Sequence, residues 1–347
     1  MAIQIPTILA PAPIQFWTVL GVDQPRLIEI HGRECLSRPY SLRLRLRSEA
    51  VVPLDLERLV GSRVHARIHL PDSNPLSALL PTPEVRDFCG ILSHVSYNGI
   101  DDHFTYYTAR LKPRLWLLSL NKSFRFFSQK TTKEIVEAIL PPDLPVDWRL
   151  SSEISGHDAC YRNYCVQYGE SDLNFVSRLL EEDGLFYFFE HRYDAQPDDP
   201  AQHSERLVIT DHIEPIPESQ VPAYLFDSSR GGNRESTRIR QWREMRSVVS
   251  RAIDSLDRHF QRPATLIKAV YPSPSEPEAS PQGSRNTPSP ETDGHDATLT
   301  HYPSGIATRF DGVAPGGGEQ ASDLDSLDTM AQRDARIKTQ RLALRRA

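Results

Sequence analysis

Residues 164–191 read YCVQYGESDLNFVSRLLEEDGLFYFFEH, and the punctuation of this stretch decides the fold. Ser171 stands where a helix N-cap is needed, its hydroxyl able to accept an amide hydrogen that the first turn leaves unbonded. The spacing predicts a helix from Asp172 to Glu182, with Leu173, Val176, Leu179 and Leu180 on one face. Gly184 suits the left-handed residue that follows a helix end. The aromatic run from Leu185 to Phe189 predicts a buried strand. Leu207-Val208-Ile209 is its expected partner, across a polar loop holding Pro197 and Pro200. Glu181, Glu182 and Asp183 crowd the negative end of the helix dipole, so a cation such as an arginine is expected beside one of them.

Working outward, Tyr40, Leu42, Leu44 and Leu46 alternate with Ser41, Arg43, Arg45 and Arg47. That period of two predicts a strand with one buried and one charged face. Val64, Ala66, Ile68 and Leu70 predict another. Residues 72–85, rich in Pro and Ser, read as a loop. Phe88–Tyr97 and His103–Leu111 predict a hairpin, with Asn98-Gly99 supplying residues that tolerate positive φ. Thr131 and Glu134 form a capping box that opens a short amphipathic helix carrying Ile135, Val136, Ile139 and Leu140. Pro141-Pro142 ends it. Further strand-like sequence lies at 223–226 and 238–249. Residues 272–296 are Pro-rich and predict a disordered or extended linker. Residues 322–347 read as a charged helix, and residues 1–13 as a loose leader.

With 347 residues, the chain exceeds the roughly 250–300 that one core supports, so two or more domains are expected. The net charge of −6 argues against a protein that grips phosphate backbones. Four cysteines, Cys35, Cys89, Cys160 and Cys165, are too few for a disulfide framework and fit a reducing compartment. No secretory signal is read, because the start lacks a basic residue before Arg26 and Pro6, Pro11 and Pro13 interrupt it. No apolar run is long enough to span a membrane as a helix.

Candidate chemistry is thin. Gly169-Glu170-Ser171 opens like a nucleophile elbow, but Leu173 stands where a glycine is required. Cys160, Cys165 and His157 lack the fourth, paired ligand of a tetrahedral zinc site. Neighbouring acids at a helix end point in different directions, unlike the facing carboxylates of a glycosidase. Arg43, Arg45 and Arg47 could hold single-stranded nucleic acid, although an acidic chain makes a solvated or subunit-facing surface the simpler reading. Gly316-Gly317-Gly318 has no Lys-Ser/Thr after it and reads as a flexible joint. No catalytic, cofactor-binding or metal-binding residue is assigned.

The 164–191 stretch resembles the most typical segment of VgrG spike proteins of the type VI secretion system, the Rhs/Vgr family. Leu59-Val60-Gly61, Phe88-Cys89-Gly90-Ile91 and Leu111-Lys112-Pro113-Arg114-Leu115-Trp116-Leu117-Leu118 follow the family's order. His301-Tyr302-Pro303 resembles its Tyr-Pro-Gly segment, with Ser304 at the glycine position. The resemblance places a family structural motif on Tyr168, Glu170, Ser171, Asp172, Phe175, Arg178, Leu179, Glu181, Gly184, Tyr187 and Phe189.

The resemblance implies a mainly β, α+β chain of two tandem small β-barrels, like a gp27-type phage baseplate hub, with a C-terminal helix. The implied borders are a leader at 1–13, a first barrel at 14–125, a helical connector at 126–160 and a second barrel-like domain at 161–271. A linker at 272–297 and a tail at 298–347 follow, the tail stopping before the spike domain. It further implies a non-enzymatic homotrimer that joins the Hcp tube to a separate spike or effector protein, without nucleic acid, cofactor or stable membrane insertion. Such a protein is assembled in the cytoplasm and exported by the machine. The alternatives are a contractile-phage or tailocin hub, a hydrolase effector and a single-strand nucleic-acid binder.

Overall fold

The computed structural model describes residues 14–49, 53–69, 85–151, 162–192, 204–212, 214–216, 225–226, 238–239, 248–249, 252–258, 264, 266–272, 287–288 and 298–305. The expected leader, most of the 72–85 loop and of the Pro-rich linker, His157, Cys160, Gly316–Gly318 and the terminal helix lie outside the described residues. The chain forms two compact units that interleave in sequence, whereas the borders expected from the sequence are contiguous. The first comprises 1–118, 141–149 and 186–241; the second comprises 119–140, 150–185 and 242–347. The described part is mainly β with a few helices, the fold class expected from the sequence.

In the first unit the strands are β1 (Ile14–Thr18), β2 (Gly21–Val22), β3 (Arg26–Cys35), β4 (Arg38–Glu49), β5 (Arg63–His69), β6 (Val85–Ile100) and β7 (Phe104–Lys112). They form one antiparallel sheet in the order β2-β1-β5-β6-β7-β4-β3. No ladder joins its two ends among the described residues, yet β1 and β3 lie side by side, so the sheet curls around its own inner face. The alternation read in β4 and β5 is what fills that face. Leu42, Leu44, Leu46, Val64 and Ala66 point inward with Phe16, Leu27, Tyr40, Phe88, Leu92, Tyr107 and Leu111. Gly90 allows a close approach, since a Cβ there would fall 2.4 Å from the Lys112 carbonyl and 2.9 Å from the Tyr40 hydroxyl. The Tyr40 hydroxyl donates to the Cys89 carbonyl beside it.

The hairpin forms as expected, but its turn is displaced. Gly99 has a φ of +127° within β6, where the register shifts between Tyr97 and Gly99. The reversal falls at Asp101–His103, because the Asp101 carboxylate accepts the His103 and Phe104 amides at 2.8 and 2.7 Å. Asn-Gly therefore makes a bulge, and the Asx turn makes the corner.

A second sheet in this unit has the order β11-β12-β9, built from β9 (Val146–Arg149), β11 (Phe186–Arg192) and β12 (Ser204–Thr210). Leu207–Ile209 pair with Tyr187–Phe189, as expected. Tyr40 meets the Phe189 ring edge-on at 5.2 Å, and the Cys89 amide donates to His191 Nδ1 at 3.0 Å. Buried Arg114 is fixed by Glu205, whose Oε1 accepts from its amide at 2.7 Å and its Nε at 3.0 Å. On the far side of β5, Arg67 forks onto Asp87 at 2.8 and 3.0 Å, and fully buried His65 bonds the same carboxylate at 2.7 Å. Burial alone would raise the Asp87 carboxyl; the bonds to His65 and Arg67 outweigh it and hold the group well below the ordinary carboxylate range.

The second unit contains β8 (Lys122–Lys130), β10 (Arg162–Ser171), α2 (Thr132–Glu137) and α3 (Asp172–Glu182). A four-residue helix, α1 (Leu56–Leu59), belongs to the first unit. The expected capping box at α2 is complete: Thr131 accepts the Glu134 amide, and Glu134 accepts the Thr131 amide. The stretch 126–160, expected as a helical connector, holds one described α-helix, α2, together with the end of β8 and all of β9. The remaining strands are short or paired locally. Those of two residues are β13 (Leu225–Phe226), β14 (Arg238–Ile239), β15 (Val248–Val249) and β18 (Thr287–Pro288). β16 (Ala252–Arg258) lies between β17 (Leu266–Pro272) and β19 (Thr298–His301).

Phe175 and Tyr187 are 0% and 1% exposed. Either one changed to Ala is expected to cost about 3–5 kcal/mol in urea unfolding, the usual loss for a deleted core aromatic. Asp87→Asn is expected to cost about 3 kcal/mol at neutral pH, because it strands a buried cation. The Asp87 carboxyl is lowered in the folded state, so its contribution is present above the unfolded value near 3.8 and is lost as pH falls below it. Asp87→Asn should therefore also flatten the acid side of the stability profile; an unchanged slope would show that other carboxylates govern it.

Candidate functional site

The ribbon of β8 and β10 has two chemically opposite faces because successive side chains alternate across a strand. Its antiparallel register pairs Tyr168 with Phe124, Gln167 with Arg125, Val166 with Phe126, Cys165 with Phe127 and Tyr164 with Ser128. One face carries Arg125, Phe127, Cys165 and Gln167, turned toward the helices. The other carries Phe124, Phe126, Tyr164, Val166 and Tyr168.

The inner face is packed and bonded. Phe127 stacks on Phe175 of α3, with ring centroids 6.0 Å apart and planes 17° from parallel. Phe175 joins Val176, Leu179 and Leu180 in the buried stripe of α3. Leu173, expected in that stripe, is only half-buried, since the first turn is held by polar contacts instead. There the Ser171 hydroxyl accepts the Asn174 amide at 3.2 Å. Asp172, almost fully buried, accepts two Arg125 bonds at 3.2 Å and one from Gln167 at 2.7 Å.

The other end of α3 has the expected arginine, and it is Arg162. Its guanidinium, 3% exposed, donates to Thr132 at 2.9 Å, Glu182 at 2.7 Å and Asp183 at 2.9 Å. Burial opposes its charge, but Asp183 and Glu182 outweigh burial and raise its pKa above the ordinary value. Arg178 extends the network to Glu182 at 3.1 Å and Glu170 at 2.7 Å. Three arginines thus fasten the ribbon to α3, and Arg162 fastens it to α2 as well.

The outer face is apolar and uncovered. Phe124 is 74% exposed, Phe126 70%, Tyr164 63% and Tyr168 82%. Phe126 lies against Tyr164 with centroids 6.2 Å apart, and Phe124 meets Tyr168 edge-on at 5.3 Å. Monomers seldom leave such a contiguous apolar group to water unless it is covered by a partner. The alternation of Phe124, Arg125, Phe126 and Phe127 is the signal in the sequence that points to this face. It is easily missed, since its apolar side points outward.

The motif residues divide between the units. Tyr168 lies on the exposed ribbon face, Glu170 pairs with Arg178, Ser171 caps α3, and Asp172, Phe175 and Leu179 are buried beneath it. Glu181 is exposed, and Gly184 has a φ of +75° after the helix. Tyr187 and Phe189 belong to β11 of the first unit. Ser171 is engaged as a cap. Burial raises the Cys165 thiol above its ordinary value, which disfavours the reactive thiolate. Cys35, Cys89 and Cys165 are unbridged. Among the described residues no cluster of three His, Cys, Asp or Glu could hold a metal, and no helix is long and apolar enough to cross a membrane.

A family model described as phage tail baseplate hub (GPD) matches residues 33–345. The type VI secretion system spike protein VgrG1b of Pseudomonas aeruginosa is 29% identical over 255 residues, covering 72% of this chain and 31% of its own. VgrG1c of the same organism is 30% identical over 256 residues, again 72% and 31%. The actin cross-linking toxin VgrG1 of Vibrio cholerae is 32% identical over 183 residues, which are 50% of this chain and 16% of the toxin. The chain thus spans about a third, or less, of the length of these curated relatives. Among solved structures, an E. coli type VI secretion component described as similar to T4 tail proteins gp27 and gp5 is 24% identical, with a TM-score of 0.42, over 61% of this chain and 51% of that one. A 43 kDa prophage tail protein from Shewanella oneidensis is 12% identical, with a TM-score of 0.44, over 81% of this chain and 74% of that one.

Arg162→Met is expected to destabilise the protein by about 3 kcal/mol in urea unfolding, because it removes a buried cation from half-buried Glu182 and Asp183 and from Thr132. Tyr168→Ser, on the open face, should change stability by less than about 0.5 kcal/mol. Equal effects from the two would refute the division of the ribbon into a structural and a free face.

Proposed function

Because the chain belongs to the phage tail baseplate hub (GPD) family, matched over residues 33–345, we propose that it is a structural component of a type VI secretion tip. In this reading three copies form a collar that seats on the Hcp tube, receives a separate spike or effector protein and supports delivery. The collar is assembled in the cytoplasm and leaves through the machine. The chain works by surface complementarity, and no catalytic step is assigned to it.

The observation that carries the reading is the open aromatic face of the ribbon. Each large aromatic can bury about 150–250 Å², so Phe124, Phe126, Tyr164 and Tyr168 supply roughly 400–700 Å² at their observed exposures. A stable interface needs about 800 Å² per partner, and this face meets most of that requirement. A head-to-tail contact between identical chains closes into a ring when the rotation fits. The rigid inner face keeps the aromatics positioned before contact, which lowers the ordering cost of assembly.

A hub of a contractile phage or tailocin is the second reading. The family description itself favours it, whereas the curated relatives favour the secretion system. The physics of assembly is the same in both.

Sedimentation equilibrium at micromolar concentration is expected to give a trimer, and immobilised protein is expected to retain Hcp. Phe126→Ser with Tyr168→Ser should shift the protein toward monomer with its unfolding midpoint unchanged. A monomer across a wide concentration range, together with no Hcp retained, overturns the proposal.

A further inference from the structure

The outer surface of the seven-stranded sheet carries a line of basic side chains that its folding does not require. The register pairs His31 of β3 with Arg43 of β4, Arg43 with Arg110 of β7, and Arg110 with His94 of β6. Residues directly paired across strands share a face. The four therefore stand in one row across four adjacent strands, and all are exposed. With strands 4.7–4.9 Å apart, the row is about 14 Å long.

The rows beside it are neutralised or occupied. Arg45 bonds Glu29 at 2.9 Å, and Arg47 lies over the Phe104 ring at 4.4 Å. On the other side Lys112 lies over the Trp116 ring at 4.0 Å. Burial and then Arg110 lower the Lys112 pKa, which registers the uncompensated charge next door. Among the described residues, no ion pair engages Arg43, Arg110, His31 or His94. Like charges placed directly opposite each other weaken a sheet. Arg43 facing Arg110 is thus a local cost to folding, within a chain whose net charge is −6.

We infer that this row is a docking site for an acidic protein segment, a strand or helix presenting carboxylates along a line of similar length. Guanidinium groups fork onto carboxylates and bind them in pairs. The overall negative charge favours this occupant over a nucleic acid: the distant field of the chain repels a long polyanion, while a few carboxylates on a partner engage the row at short range. Aromatic platforms for bases, which single-strand binders place among their cations, do not interleave with the four residues. This site is separate from the aromatic ribbon and does not rest on the trimer.

The test uses the whole chain, a short polyglutamate peptide and a short oligothymidylate, titrated at low and at physiological salt. The wild type is expected to bind polyglutamate at low salt and to lose affinity as salt screens the row. Arg43→Ser with Arg110→Ser should weaken binding about tenfold or more, Arg43→Lys with Arg110→Lys should retain part of it, and Arg58→Ser, on α1, should leave it unchanged. Arg43→Ser alone should raise the thermal midpoint by relieving the like-charge pair; a fall removes that premise and overturns the inference. It is likewise overturned by undiminished peptide binding in the double Ser variant. Tighter binding of oligothymidylate than of polyglutamate overturns it in favour of nucleic acid. A change of oligomeric state in the double variant, with peptide binding intact, overturns it in favour of a second copy of the chain.

Discussion

The guanidinium of Arg162 is the constraint on which the arrangement of the second unit depends. A helix ending in Glu182 and Asp183 sets negative charge at its negative pole, an unfavourable arrangement unless a cation sits beside it. Arg162 reaches both acids from β10 and also bonds Thr132 at the start of α2. One buried side chain therefore fixes a strand and two helices together. Removing the charge from water is costly, and only the full set of partners makes its burial tolerable. The inner face of the ribbon is filled by Phe127 on Phe175 and by Arg125 and Gln167 on Asp172, while the aromatic side chains of the opposite face stay open to solvent.

The first unit solves a different problem. Its sheet must bend enough for β1 and β3 to come alongside each other, and it does so through local irregularities. Register shifts occur in β3 and in β6, and the extra residue at each site sharpens the local twist. Gly90 permits the backbone of β7 and the Tyr40 hydroxyl to approach where any side chain would collide. The inner face is mainly apolar, whereas the outer face is free to vary. That freedom is what allows Arg43 and Arg110 to stand opposite each other there.

Most of the local structure could be read from residue spacing. Alternation identified β4 and β5, the hydroxyl-to-acid spacing identified the capped start of α2, and Ser171 with Gly184 marked the two ends of α3. These features depend on neighbours within a few residues. The turn at Asp101 was less visible, because an Asx turn competes with the stronger Asn98-Gly99 pattern and the outcome depends on pairing with β7. The ribbon was harder still. Phe124 and Phe126 alternate correctly for a strand, but a rule that places apolar residues inside assigns them to a core. Arg162 as the partner of the helix-end acids was foreseen only as a residue type, since pairing at a sequence distance of twenty residues is set by packing. The row from His31 to His94 is invisible along the chain and exists only in the register.

The interleaving of the two units has a consequence for synthesis. The first unit draws on Val146–Arg149, Phe186–Arg192 and Ser204–Thr210 to complete its three-stranded sheet, long after its seven-stranded sheet has left the ribosome. Glu205, which neutralises buried Arg114, arrives with the last of those strands. A nascent chain must therefore carry Arg114 without Glu205 while ninety-one residues are added, with Asp143, twenty-nine residues on, as the earlier of its two acids. Neither unit corresponds to one unbroken segment of the chain, so a single end-to-end gene fusion cannot exchange either one whole.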